Sequence, residues 1–241
     1  MAGLGTAINA AAIILGALIG LLLQKAIPEK MKKSIVQALS LATVAIGIIG
    51  VVTAACTVKD GAVESRYSLL MVISIAAGTF IGALCDIEAR LDRLGEIMQK
   101  KFSSGSSMFA EGFVTASLVF CIGSMAILGS LRDGIYHDPT ILITKGMIDG
   151  VMSVIFASTL GIGVAFSAAA VVIYQGLITA CASILAPLLT EAVIAQLSLV
   201  GSILIIGIGL NLLYEPKLKL ANMLPSVFVP IVWYVIRSVI K

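Results

Sequence analysis
Charge is scarce in this chain of 241 residues. Only 12% of them are Asp, Glu, Lys or Arg, while 59% are hydrophobic; a soluble domain carries about 25% charged and roughly 45–50% apolar residues. So little polar surface cannot cover a water-soluble globule, which excludes an ordinary cytosolic enzyme, a nucleic-acid binder and a disordered protein. The net charge is only +3, so no polyanionic partner is implied. Histidine occurs once, as His137, without a second ligand candidate close in sequence, and no metal site is expected there. Cys56, Cys85, Cys121 and Cys181 lie in or at the ends of apolar runs with neither metal-ligand nor disulfide-framework spacing, and read as small packing residues. Paired-His motifs, a phosphate loop and Gly-x-Ser-x-Gly are missing too, so neither enzyme activity nor a cofactor is expected. The first apolar run lacks a preceding basic region, so a cleaved signal peptide is not expected.

What the chain has instead is long apolar runs. A spanning helix needs about 20 apolar residues for a hydrocarbon core of about 30 Å. Runs cover Gly3–Leu23, Val36–Thr57, Tyr67–Cys85 and Met108–Leu131, then Ile141–Ala165, Phe166–Leu189, Ile194–Leu213 and a short Leu224–Ile240. Lys59–Arg66 reads as a polar turn and Arg132–Thr140 as a loop. Within Asp86–Lys101, apolar Ile87, Leu91, Leu94 and Met98 recur every three to four residues, the pattern of a helix lying in the membrane interface. The expected fold is an all-α polytopic bundle of seven or eight spans, forming a single membrane domain over residues 1–241. Basic residues concentrate in Gln24–Lys33 and in Arg90–Lys101, so these segments are expected in the cytoplasm and the N-terminus outside. Beyond Thr140 the rule does not decide. Eight crossings leave Arg237 outside and seven leave it inside.

Self-similarity adds an organising pattern. Gly16 and Gly20 correspond to Gly78 and Gly82, and Thr159 with Gly163 forms a weaker third copy. Gly123-Ser124 with Gly129 matches Gly201-Ser202 with Gly207, with Leu41–Gly47 as a degenerate counterpart. Three helix–linker–helix units follow, at about 3–57, 67–131 and 141–213, with a last helix at 224–240. The third linker is apolar enough to enter the membrane, either crossing it or re-entering. Glycines four apart equally serve close helix packing, within the chain or in a homo-oligomer.

Polar groups inside the runs are the candidate site. Asp149 is the only acidic residue expected well inside a span, about 12 Å along a helix beginning near Ile141. Lys145 lies one turn earlier on the same face, within reach of an i,i+4 ion pair. In one reading Asp149 binds a coupling cation, a proton or a cationic solute group. In the other, Lys145 snorkels to the interface and neutralises a helix-end aspartate. Asn9, Ser158, Thr159, Tyr174, Gln175 and Asn211 are the further candidates, with a helix break at Gly161 and Gly163 freeing carbonyls. Glu111 and Glu191 stand where they favour a helix N-terminus.

Residues 5–16, Phe120–Gly129, and the run from Lys145-Gly-Met-Ile-Asp-Gly through Phe156–Gly163 to Tyr174-Gln-Gly176 resemble the YqgA/YdfK-type family of small bacterial inner-membrane proteins, catalogued as a domain of unknown function. The resemblance covers essentially the whole chain. It implies a multi-pass protein of the bacterial cytoplasmic membrane, of a kind often given a transport label, and carries no substrate or site residues. The expected function is movement of a small solute or ion across that membrane; a channel, or a non-transporting scaffold or partner subunit, stays open.

Overall fold
The computed structural model describes residues 2–26, 28–59, 62–90, 93, 97, 109–214 and 218–240. Helix α1 is Leu4–Ala26 and α2 is Glu29–Ala55. Pro28, which cannot continue a hydrogen-bonded helix, stands between them. Strands β1 (Cys56–Lys59) and β2 (Ala62–Ser65) follow, then α3 (Ser68–Leu84), α4 (Phe109–Cys121), α5 (Ser124–Tyr136), α6 (Thr140–Leu160) and α7 (Gly163–Ala180). The short α8 (Ala182–Leu185), α9 (Glu191–Asn211), α10 (Leu220–Met223), a 3-10 turn (Leu224–Phe228) and α11 (Val229–Ile240) complete the chain. This is an all-α polytopic architecture. Six helical segments are long and apolar enough to cross a membrane, and α4 with α5 makes a seventh if counted as one span bent by 61°. Helix α3, with 17 residues, lies at the short end of the spanning range of about 17–25 residues.

Several boundaries differ from the sequence expectations. The polar turn at Lys59–Arg66 belongs to an antiparallel hairpin pairing Cys56 with Ser65 and Val58 with Val63; β-branched Thr57, Val58 and Val63 suit a strand better than a helix end. The fourth run is two helices, because Gly123 takes φ 133°, a conformation closed to residues with a Cβ. Leu131 does not end it: α5 continues to Tyr136, and the loop shrinks to His137–Pro139. The fifth run stops at Leu160, where Gly161 at φ 79° caps α6, and α7 starts at Gly163 rather than Phe166. Most of the expected interfacial helix at 86–101 lies outside the described residues.

The helices form two compact units, Met1–Leu39 with Arg90–Leu185, and Ser40–Ala89 with Ala186–Lys241. In the first, α1 and α6 run parallel with their backbones in close approach. A Cβ added at Gly16 would stand 2.2 Å from the Gly150 carbonyl oxygen, and one at Gly20 would stand 2.4 Å from that of Val154. Gly146 in turn receives Asn9, and Gly150 receives Ala12. The Ser153 hydroxyl crosses the seam to the Ile13 carbonyl at 2.8 Å. Helices α4 and α5 run alongside α7 in the same sense, with Gly163 on Phe109 and Gly134 on Thr179. In the second unit, α2 and α9 are antiparallel: Gly47 and Gly50 meet Ser202, Gly209 meets Val44, and Ser40 Oγ donates to the Gly209 carbonyl at 2.6 Å. There Gly78 and Gly82 accept the backbone at Ser226 and Asn222. These glycine faces are therefore packed from within the chain.

The outer surfaces are apolar, with Leu22, Leu69, Leu84 and Ile184 each at least 70% exposed, whereas Asn9, Thr43, Ser74, Asp133 and Gln175 are fully buried. A bundle with apolar residues outside and small and polar residues inside is solvated by lipid, so the protein contacts the bilayer. The glycine seam yields a direct test. Gly16→Ala should destabilise the protein by about 1–3 kcal/mol, the range for overpacking, read as a lower unfolding temperature in detergent. Gly176→Ala, where an added Cβ meets nothing within 4 Å, should be neutral or stabilising. Equal behaviour of the two variants would contradict the account of the α1–α6 contact.

Candidate functional site
The polar groups of the first unit meet where α4 breaks. On α6, Lys145 Nζ donates to Asp149 Oδ2 at 2.6 Å, and the two side chains are only 8% and 6% exposed. The sequence spacing put them on one face; the fold buries that face, so Lys145 does not reach the surface. From α1, Asn9 is pressed against Gly146, and its amide interacts with the Asp149 side chain, yet neither amide atom completes a well-formed hydrogen bond. Cys121, the last residue of α4, lies within electrostatic reach of Lys145, Asp149 and Tyr174. Next to Tyr174 on α7, Gln175 is fully buried, and both its amide atoms lack a partner. One residue on, Gly176 shares a groove of about 410 Å³ with Thr6, Ala7 and Thr179. Four helical elements thus bring Asn9, Cys121, Lys145, Asp149, Tyr174 and Gln175 to one level of the unit.

The chemistry of this set is specific. The lysine and aspartate cancel, so the pair is a neutral dipole at its level. The free hydrogen-bonding capacity lies chiefly with the Gln175 carboxamide, able to donate twice and accept, while the Asn9 amide adjoins Asp149. A buried polar group without a partner costs about 1–3 kcal/mol, and native interiors pair almost all of theirs. Such a constellation fits a small polar molecule, or an ion that exchanges its hydration for amide oxygens.

The remaining candidates are placed elsewhere. Ser158 donates to Ile155 O at 2.8 Å and Thr159 to Phe156 O at 3.0 Å, both on their own helix, about 14 Å or more beyond Asp149 at 1.5 Å per residue. Gly161 and Gly163 flank the turn between α6 and α7. Asn211 belongs to the second unit, where its amide closes a loop with Leu218 N and O, both at 2.8 Å. Glu111 and Glu191 fall in the first turns of α4 and α9, and Thr190 caps α9 by accepting from Val193 N.

One buried acid escapes the sequence reading. Asp133 is fully buried in α5, not in a loop, so Asp149 is not the only deep carboxylate. Its Oδ2 accepts from Gly3 N and Gly5 N, both at 3.1 Å, capping α1 from a neighbouring helix. A carboxylate there meets the positive end of the α1 dipole. The signal in the sequence is faint: Asp133 follows Arg132 directly, and the polar pair reads as a loop. Cys121 likewise reads as packing until the break beside it is seen.

The fold and this interior define a multi-pass α-helical membrane protein. The family model described as "Protein of unknown function (DUF554)" matches residues 4–235, and the chain belongs to that family. It is 36% identical to "Uncharacterized membrane protein YdfK" of Bacillus subtilis (strain 168), over 97% of both chains. It is 31% identical to "Uncharacterized protein YqgA" of Escherichia coli (strain K12), over 92% of both. No solved structure matches the chain.

The ion pair carries its own prediction. Asp149→Asn leaves a buried lysine uncompensated and should destabilise by about 3–5 kcal/mol. Replacing both partners, Lys145→Met with Asp149→Leu, should recover most of that loss. Thermal unfolding in one detergent decides; a harmless Asp149→Asn would show that the pair is not buried as described.

Proposed function
We propose that the protein is a carrier, not an enzyme, moving a small polar solute or ion across the bacterial cytoplasmic membrane. Its site is the polar level of the first unit, with Asn9 and Gln175 meeting the solute and Lys145–Asp149 tuning or coupling the step. One observation carries this reading: the fully buried Gln175 carboxamide has no hydrogen-bond partner at either atom, at the level of a buried ion pair that Asn9 adjoins. A purely structural interior would be more stable with an apolar residue at position 175. The break at Gly123 and the turn at Gly161 supply the irregular backbone that membrane carriers place around a site.

A second reading draws on the Lys145–Asp149 distance. A pair that satisfies itself at 2.6 Å also suits a scaffold or partner subunit that transports nothing. Proteoliposomes offered labelled small polar solutes, with and without proton or sodium gradients, separate the two. The carrier reading expects saturable uptake whose gradient dependence is lost in Asp149→Asn. It also expects Gln175→Leu to raise the unfolding temperature while reducing uptake at least about ten-fold, the effect of about 1.4 kcal/mol. No uptake of any solute, or full uptake by Gln175→Leu, would contradict it, and unitary currents in single-channel recording would assign a channel instead.

The same proposal includes an N-terminus outside the cell, from the basic residues of Gln24–Lys33 and Arg90–Lys101. Tyr67 and Arg237 line one groove, so α11 ends at the end of its unit where α3 begins, and an outward hairpin entails an outward C-terminus. An alkaline phosphatase, which folds only outside the cytoplasm, should be active when fused after Ser65 or Lys241 and inactive after Lys33. The reverse pattern would overturn the orientation.

A further inference from the structure
The second unit carries a groove of about 520 Å³ that the solute site does not use. Its walls are Tyr67 at the entry to α3, Gln196 on the second turn of α9, and Trp233, Tyr234, Arg237 and Ser238 on α11. These positions are helix ends, so the groove opens at the surface end of the unit rather than midway along it. The lining is uneven in kind. Three aromatic rings, each with an apolar body and a polar tip, stand around one guanidinium, and among the described residues no acidic side chain lines the groove. Among the described residues Arg237 makes no ion pair. Tyr67 is held at φ 65°, a left-handed conformation uncommon for a bulky residue.

We propose that this groove binds the phosphate-bearing headgroup of an anionic phospholipid. Arg237 matches a phosphate in charge and in its planar fork of donors. Ser238 and Gln196 add a hydroxyl and an amide within the same groove. Tyrosine and tryptophan rings are the side chains that settle at headgroup depth. On the same helix Val232 and Ile236 are 55% and 47% exposed, giving acyl chains an apolar path below the headgroup. A soluble phosphate has no use for that path, and a zwitterionic headgroup offsets the guanidinium with its own cation.

Trp233 is the single tryptophan of the chain, so its fluorescence reports the groove directly. The full-length protein in non-ionic detergent is titrated with short-chain phosphatidylglycerol, short-chain phosphatidylcholine and glycerol phosphate. Phosphatidylglycerol should saturate the Trp233 change at about five-fold lower concentration than phosphatidylcholine, the preference expected of one basic residue near a lipid surface. Arg237→Gln should bring the two lipids together, whereas Arg132→Gln, a surface cation of the first unit, should keep them apart. Raising the salt to 0.5 M should narrow the gap in the wild-type protein, because the guanidinium is exposed to screening; this arm needs no variant to fold. Equal responses to the two lipids, a preference that survives Arg237→Gln or high salt, or one lost equally in Arg132→Gln would overturn the assignment. A saturating response to glycerol phosphate equal to that of phosphatidylglycerol would also overturn it, in favour of a soluble anion.

Discussion

The close approach of α1 to α6 is the contact on which the first unit depends. Glycine at 16, 20, 146 and 150 lets the two backbones touch, and lipid provides no hydrophobic drive that could replace this packing. Because the seam is so tight, Asn9 is carried against Gly146, between Lys145 and Asp149 in the sequence of α6. The seam thus closes the ion pair off from lipid. The Asp133 carboxylate then fixes the start of α1, which sets how far along α6 the asparagine sits. Packing, capping and the site are one arrangement.

A bilayer tolerates this interior only under conditions the fold meets. Charges in the hydrocarbon must be paired, as Lys145 and Asp149 are. Hydroxyls return to their own helices, as Ser130, Ser158 and Ser167 do. The Gln175 carboxamide departs from that economy, as do the hydroxyls of Thr6, Ser74, Ser117 and Ser198, and departures from local consistency gather at functional positions. The second unit is built differently, with serines and glycines closing α2 on α9 and an aromatic groove at one end.

Much of this was legible before any coordinates. Apolar runs separated by charged segments placed α1, α3 and α9 within three residues, because lipid imposes a length and forbids exposed irregular backbone; α2 begins seven residues before its run, in the basic stretch at Glu29. The i,i+4 spacing of Lys145 and Asp149 announced the pair, and Gly161 with Gly163 announced the turn. Other features depend on partners distant in sequence. Asp133 looks like a loop residue until Gly3 and Gly5 come to it across some 130 positions. Gly123-Ser124 and Gly201-Ser202 read alike, yet the first breaks a helix and the second lies inside one against Gly47 and Gly50. Tyr174-Gln175-Gly176 sets two polar residues and a glycine inside an apolar run, yet α7 passes straight through it. Tertiary contacts decide such cases, and local pattern does not.

The central claim is that the buried amides of Asn9 and Gln175 face a ligand rather than each other. A high-resolution density map of the full chain in lipid nanodiscs tests this most directly. The account predicts non-protein density within hydrogen-bonding distance of both amides, beside an intact Lys145–Asp149 pair. Amides turned onto each other or onto neighbouring backbone, with no density between them, would contradict it.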